Sequence, residues 1–155
     1  MAVRGIAAAA LAALFGSAAA APAASVEGNW LTQEKTGIVA IARCGDGLCG
    51  RLVWLRIKPS DNNPQAIDNR NPAPELRRRT LCGMTMMWGF RPDGADRWGG
   101  GAIYDPASGS TYRATMTLRP DGALDMRGYV LVSLFGRSET WTRFARPIPP
   151  CPARH

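Results

Sequence analysis

The groups with which this chain could do chemistry are few. Its 155 residues hold four cysteines, one histidine and twelve carboxylates. The histidine is His155, the last residue, where chain ends fray. A Ser-His-Asp or Cys-His centre therefore has no base to work with, and Ser108, Ser110, Ser133 and Ser138 have none near them in sequence. A structural zinc site wants four Cys or His ligands at tetrahedral geometry. Cys44 and Cys49 instead bracket Gly45-Asp46-Gly47-Leu48, two residues more than a thioredoxin-like redox pair allows. A staple across a turn is the favoured reading, ahead of a redox pair and a metal clasp.

The carboxylates give no sharper signal. General acid–base work needs paired acids in a cleft. Asp105, Asp125 and Glu139 sit on strands or at strand ends. In "DPASG" Asp105 reads as a turn cap, and Asp125 with Arg127 reads as the exposed face of a strand. The segment "SDNNPQAIDNRNP" offers Asp61, Asn62, Asn63, Asp68, Asn69 and Asn71. Such oxygen ligands suit calcium, but their spacing matches no EF-hand. No metal and no cofactor is expected, and an enzyme is the less favoured class.

The apolar residues are more suggestive. Met84, Met86, Trp88 and Phe90 recur at every second position of "MTMMWGF". With Trp54, Tyr112, Met116 and Met126 they could line the inside of a barrel. Met-rich and aromatic walls adapt to varied guests. The competing reading is that they simply fill a core.

Short strands must position these residues. Turn signals recur at regular intervals, among them "GDG", "RPDGAD", "DPASG" and "RPDG", as in all-β sandwiches and barrels. Strands are expected near 27–33, 37–44, 48–56, 83–90, 97–104, 110–118, 123–131 and 137–145. "TYRATMTL" alternates Tyr112, Ala114, Met116 and Leu118 against Arg113, Thr115 and Thr117, the mark of a half-buried strand. Eight such strands joined by tight turns suit an antiparallel up-and-down barrel, which leaves no exposed edge; a two-sheet sandwich is the runner-up. The hairpin is expected to set Cys44 against Cys49 and to gather Val39, Ile41, Leu52 and Trp54 on one face.

One connector breaks the rhythm. "IKPSDNNPQAIDNRNPAPELRRRTLC" (57–82) is too long and too rich in Pro, Asn and Asp for a simple turn. Loops of this length are usually functional or mobile. Asn71 followed by Pro72 predicts a short helix over "APELRRR".

The start of the chain bears on compartment. "MAVRGIAAAALAALFGSAAAAPAAS" has one charge, Arg4, then an apolar run and small residues, the layout of a secretory leader. The expected organisation is a signal peptide over 1–23, a barrel over 24–146 and a tail over 147–155, with cleavage near Ala23 and a periplasmic or secreted mature protein. The apolar run is too short to span a bilayer of ~30 Å. Export favours paired cysteines. Four cysteines allow three connectivities; the hairpin favours Cys44–Cys49 and leaves Cys82 to Cys151. Loop closure would give the short ring roughly 2 kcal/mol and the long one roughly 4 kcal/mol. The net charge of +7 is carried by 17 arginines against two lysines. An exported basic domain rarely meets nucleic acid, so anionic envelope components are the partners its charge would suit.

Two short signatures resemble the calycin superfamily: "GNW" (Gly28, Asn29, Trp30) in the first strand and "TWTR" ending at Arg143 in the last. That resemblance implies a lipocalin-like barrel in which Arg143 stacks across Trp30 and closes one end. A wider one covers "GNWLTQEKTGIVAIARCGDGLCGRLVWL", "DNRNPAPELRRRTLCG", "WGGGAIYDPASGSTYRATMTL" and "LDMRGYVLVSLFGRSETWTR". These look like domain of unknown function 2147, an exported bacterial family placed with the calycins. The resemblance implies fold and location and carries no reaction. Three functions follow as expectations: a monomeric carrier of a small apolar or amphipathic ligand, an envelope interaction module with a packed core, and, least favoured, a carboxylate enzyme.

Overall fold

The computed structural model describes residues 25–58, 63, 66–130 and 136–151; the leader-like stretch lies outside the described residues. Eight antiparallel strands follow in chain order: β1 (Gly28–Leu31), β2 (Gly37–Cys44), β3 (Gly47–Leu55), β4 (Thr85–Pro92), β5 (Arg97–Asp105), β6 (Ser110–Leu118), β7 (Leu124–Tyr129) and β8 (Gly136–Arg143). Each pairs with the next, and β8 returns to β1, closing the sheet into a barrel. Closure excludes the two-sheet sandwich.

The β2–β3 hairpin is tighter than its cysteine spacing predicts. Cys44 pairs with Gly47 and Ala42 with Cys49, so the turn has two residues. Gly45 takes φ 58 there, a backbone that suits glycine at the first central position of such a turn. The disulfide between Cys44 and Cys49 therefore runs diagonally rather than straight across. The register differs from the expected one by two residues, and an even slip leaves every side chain on its predicted face. Val39, Ile41 and Leu52 are buried accordingly. A register shift at Ile38/Val39 sets Trp54 opposite Ile38 instead of Val39, and Trp54 is only half-buried.

Packing inside the barrel depends on glycines opposite bulky residues. On β4 the fully buried residues are Met87 and Phe90; Met86 is half-buried and packs against the core, and Trp88 is exposed. The strand gains an extra residue between Met87 and Phe90: Gly50 pairs with Met87 but Leu48 with Phe90. Gly89, at φ 76, lies in this bulge. An extra residue reverses the phase of everything beyond it. A Cβ on Gly50 would stand 2.7 Å from Met87 Sδ, and one on Gly101 2.5 Å from the Phe90 ring. Ala114, Met116, Leu118, Leu124, Met126 and Trp141 complete the filling, with Met116 facing Met126 and Leu124 facing Trp141.

The end of the barrel beside the N-terminal segment is closed by Trp30 and Arg143. Trp30 is fully buried; its indole N–H donates to the Val26 carbonyl at 2.8 Å. The Arg143 guanidinium lies 4.2 Å from the Trp30 ring centroid and donates to the carbonyls of Glu27 and Ser25. Gly28 makes this approach feasible, because a Cβ there would meet Arg143 Nη1 at 2.8 Å.

The opposite end is crossed by the long connector between β3 and β4. Ala66–Asp68 runs back along Arg79–Leu81: the Asp68 N–H donates to Arg79 O, and the Leu81 N–H to Ala66 O. The predicted helix shrinks to a 3-10 turn, Pro74–Leu76, with Ala73 rather than Asn71 at its N-cap. Asn71 is occupied elsewhere. It is buried, and its amide donates to Asp68 Oδ2 at 2.7 Å. Asp68 is wholly buried and fully engaged. Oδ1 accepts the Tyr104 hydroxyl at 2.6 Å, while Oδ2 also accepts Arg79 Nε at 2.9 Å and lies 2.8 Å from its Nη2. This carboxylate fastens the connector to β5. Burial first, and then the bond to Asp68 and its charge, push the Tyr104 phenol up to about 12. A disulfide joins Cys151 to Cys82 and so ties the segment after β8 to the end of the connector.

Three outcomes follow. A double-mutant cycle of Trp30→Leu and Arg143→Ala, read by denaturant unfolding, should show a coupling of about 0.5–2 kcal/mol; additivity would mean that the stacked pair does not act as a unit. Replacing Cys44 and Cys49 by serine should cost less stability than replacing Cys82 and Cys151, because the ring is shorter, with the far-UV β signal kept in the first variant. Tyr104→Phe leaves a buried carboxylate oxygen short of a donor and should cost about 1–3 kcal/mol near neutral pH. The phenol's folded value lies above its unfolded value near 10. Its contribution is thus complete below pH 10 and lost as the pH climbs toward 12, so the wild type and Tyr104→Phe should converge across that window.

Candidate functional site

A pocket of about 440 Å³ lies beneath the connector, at the end where β3 finishes and β5 turns into β6. Its apolar wall is Leu55, Ile57, Ala66, Leu81, Pro106 and Ala107, and its polar groups are Arg56, Arg70, Asn63 and Asn69. Leu55 packs on the barrel core and Leu81 belongs to it, so the core forms the pocket's floor.

Local chemistry fixes each wall. The Arg56 N–H donates to Thr36 O and carries the β3 end past the β1–β2 turn. Asn63 acts as a stand-in for backbone: its amide donates to Ile67 O and its Oδ1 accepts the Ile67 N–H. Ala66 sits at φ 49, a left-handed backbone that costs a β-carbon residue roughly 1–2 kcal/mol; bonds from the Ala66 N–H to Asn63 O and from the Leu81 N–H to Ala66 O hold it there. On the far side, the backbone at Arg70 abuts the β5–β6 turn so closely that a Cβ on Gly109 would run into its carbonyl oxygen. Asp105 caps that turn, accepting the Ala107 N–H at 2.9 Å and the Ser108 hydroxyl at 2.7 Å.

The residues singled out from sequence fall elsewhere. Met84, Met116 and Met126 are buried in the core, with Met116 and Met126 brought face to face. Tyr112 is half-buried opposite Ile103 on the inner wall. Trp54 and Met86 are half-buried, and Trp88 is 41% exposed. A second irregularity on β4, where Arg51 pairs with Thr85 but Gly50 with Met87, shifts the phase ahead of Trp88 and leaves it exposed. None of these seven lines the pocket. Of the connector arginines, Arg77 donates to Asn71 O and Arg79 is committed to Asp68; neither they nor Arg78 borders the pocket.

The carboxylates do not converge. Asp125 accepts the Thr140 hydroxyl at 2.8 Å, and Glu139 the indole N–H of Trp141 at 2.9 Å. Among the described residues no three His, Cys, Asp or Glu side chains come together as metal ligands do; Asp61 and Asn62 lie outside the described residues.

Sequence reasoning missed Arg56, Arg70, Tyr104 and the turn at Pro106. Tyr104 was hidden by the run Gly99-Gly100-Gly101. A bulge there, between Trp98 and Gly101, puts Ile103 toward the interior and leaves Tyr104 on the face that meets the connector. Isolated or clustered glycines within a strand are the available signal for such a bulge.

No functionally curated protein matches the sequence. Among solved structures the chain is similar to protein HP1028 from the human pathogen Helicobacter pylori, described as belonging to the lipocalin family. The TM-score is 0.69 and the identity 23%, over 78% of this chain and 84% of that one. A likeness at that identity speaks for the fold, and the fold is lipocalin-like. The matched family model spans residues 28–143, the start of β1 to the end of β8, and by that match the chain belongs to domain of unknown function 2147, described as an uncharacterized protein conserved in bacteria.

Proposed function

We propose that the protein is an exported, lipocalin-like binding protein that holds a small apolar or amphipathic molecule in the pocket beneath its connector. One observation carries this reading: a pocket of about 440 Å³, mostly apolar, with a few polar groups at defined places. Small-molecule sites have that size and composition. The barrel interior is a poorer candidate, because large side chains fill it among the described residues. The pocket's walls are built to stay in place, since Asp68, Tyr104 and Asn71 lock the connector from behind. The leader-like start and the two disulfides support an exported location. We count the chain as a carrier or sensor rather than an enzyme.

The filled interior favours a second reading, an envelope interaction module. Against it, among the described residues the exposed large apolar side chains Leu76, Trp88 and Val130 fall in the 3-10 turn, on β4 and just after β7, and scattered singles of this kind are ordinary surface.

Native mass spectrometry of protein purified gently from its own compartment should show a small co-purifying species. Titration of stripped protein with a panel of fatty acids and isoprenoids should raise its thermal midpoint saturably, and Ala107→Trp, which fills the pocket from the exposed turn, should abolish the shift. A shift that survives Ala107→Trp would place the ligand elsewhere, and no shift across the panel would favour the interaction module.

A further inference from the structure

We infer that the pocket's ligand is an organic anion, with an acidic headgroup held by Arg56 and Arg70 and a short apolar body against Leu55, Ile57, Ala66 and Leu81. This rests on the reading of the pocket as a binding site and adds the chemistry of what it selects.

Among the described residues two arginines border the pocket and no carboxylate does. Neither Arg56 nor Arg70 takes part in an ion pair among the described residues, whereas Arg43, Arg79, Arg91, Arg97 and Arg119 all do. Asp68, two residues before Arg70, cannot serve them. Both of its oxygens are turned to Tyr104, Asn71 and Arg79, and the Arg79 guanidinium already offsets its charge. The surrounding chain deepens the imbalance. Residues 56–81 contain Arg56, Lys58, Arg70, Arg77, Arg78 and Arg79 against Asp61, Asp68 and Glu75, a net of 6 − 3 = +3. A concave site with one sign of charge over an apolar wall concentrates ligands of the opposite sign. Guanidinium groups bind planar or tetrahedral oxyanions through paired N–H donors. Asn69, on the same wall, offers a further donor of neutral type. The apolar floor gives the anion's body somewhere to go, so a bare inorganic ion would use only half of the site.

Matched probes test this by isothermal titration calorimetry on the intact mature protein: octanoate, octyl phosphate, octanol and octylammonium. Octanoate or octyl phosphate should bind about tenfold or more tighter than octanol, one charged contact being worth about 1.4 kcal/mol or more, and octylammonium should bind least. Preference between the two anions would tell a carboxylate site from a phosphate site. Arg56→Gln with Arg70→Gln should bring octanoate down to the level of octanol, and Arg56→Lys with Arg70→Lys should retain most of the difference. Near-UV circular dichroism checks that the variants stay folded. Raising the salt should weaken the anions and leave octanol unchanged. If octanol binds as tightly as octanoate and the glutamine variants change nothing, the anion proposal fails while the pocket remains a binding site. If none of the four binds, both readings fall together.

Discussion

A closed sheet of eight strands encloses a space that side chains can fill, with little to spare. In this barrel that volume is taken by Trp30, Met87, Phe90, Met116, Met126 and Trp141. It accepts them only because Gly50 and Gly101 remove side chains at the points where Met87 and Phe90 cross the interior. Each glycine is thus one half of a packing pair. A bulky residue claims the inside, and its opposite strand gives up a Cβ. The bulges at Gly89 and Gly100 belong to the same solution, since they re-aim the strands so that Phe90 and Gly101 meet.

The rest of the architecture follows from that filling. A molecule that needs a site finds the interior occupied, and the available space moves to where the strands end and the connector begins. Connecting segments of this length tend to be mobile. Here a wholly buried carboxylate opposes that tendency. Burying a charge is costly unless it is paired and hydrogen-bonded, and Asp68 meets the condition with a phenol, an amide and a guanidinium. Asn71 and Arg79 pair with Asp68 inside the connector, and the Tyr104 hydroxyl ties the set to β5; lifting the connector would break the bonds of Tyr104 to Asp68 and Asn71 and leave a buried carboxylate oxygen short of a donor. A pocket walled by irregular backbone, including Ala66 in its left-handed conformation, can then keep a fixed shape.

Most of the fold was legible because barrels write themselves in period two. β6 and β7 alternate in sequence, and Met116 and Met126 meet across them as that alternation implies. The Gly28-x-Trp30 and Arg143 signatures gave the closed end residue by residue. The hairpin register slipped by two, a change to which the faces are blind. β4 was misread for a physical reason: an inserted residue at a bulge flips the phase, so a strand rich in Met and Trp looks equally inward at Met86 and Met87. The site was less legible still. Its residues come from a strand end, an Asn-rich connector and a turn, where no period applies, and Arg56 and Arg70 differ from fifteen other arginines only in what surrounds them once the chain is folded.

Separating a filled barrel from a pocket at its rim divides the sequence's obligations. The interior residues answer to one another, so a change at Phe90 or Gly101 is a change to closure itself. The rim residues are free of that constraint and, on the proposed reading, would answer to a ligand. Arg56 and Ile57 lie just past β3, and Arg70, Pro106 and Ala107 occupy loops; none of their side chains is among the buried core residues. Loops held by a rigid scaffold are where binding residues change without harm to the fold. In this chain the scaffold also supplies the pocket's floor, through Leu55 and Leu81. On the proposed reading, apolar contact with the ligand would come from the core-packed floor and the connector, and discrimination from the two arginines. On that reading, substitutions at the exposed rim could change which molecule is preferred while leaving the core alone.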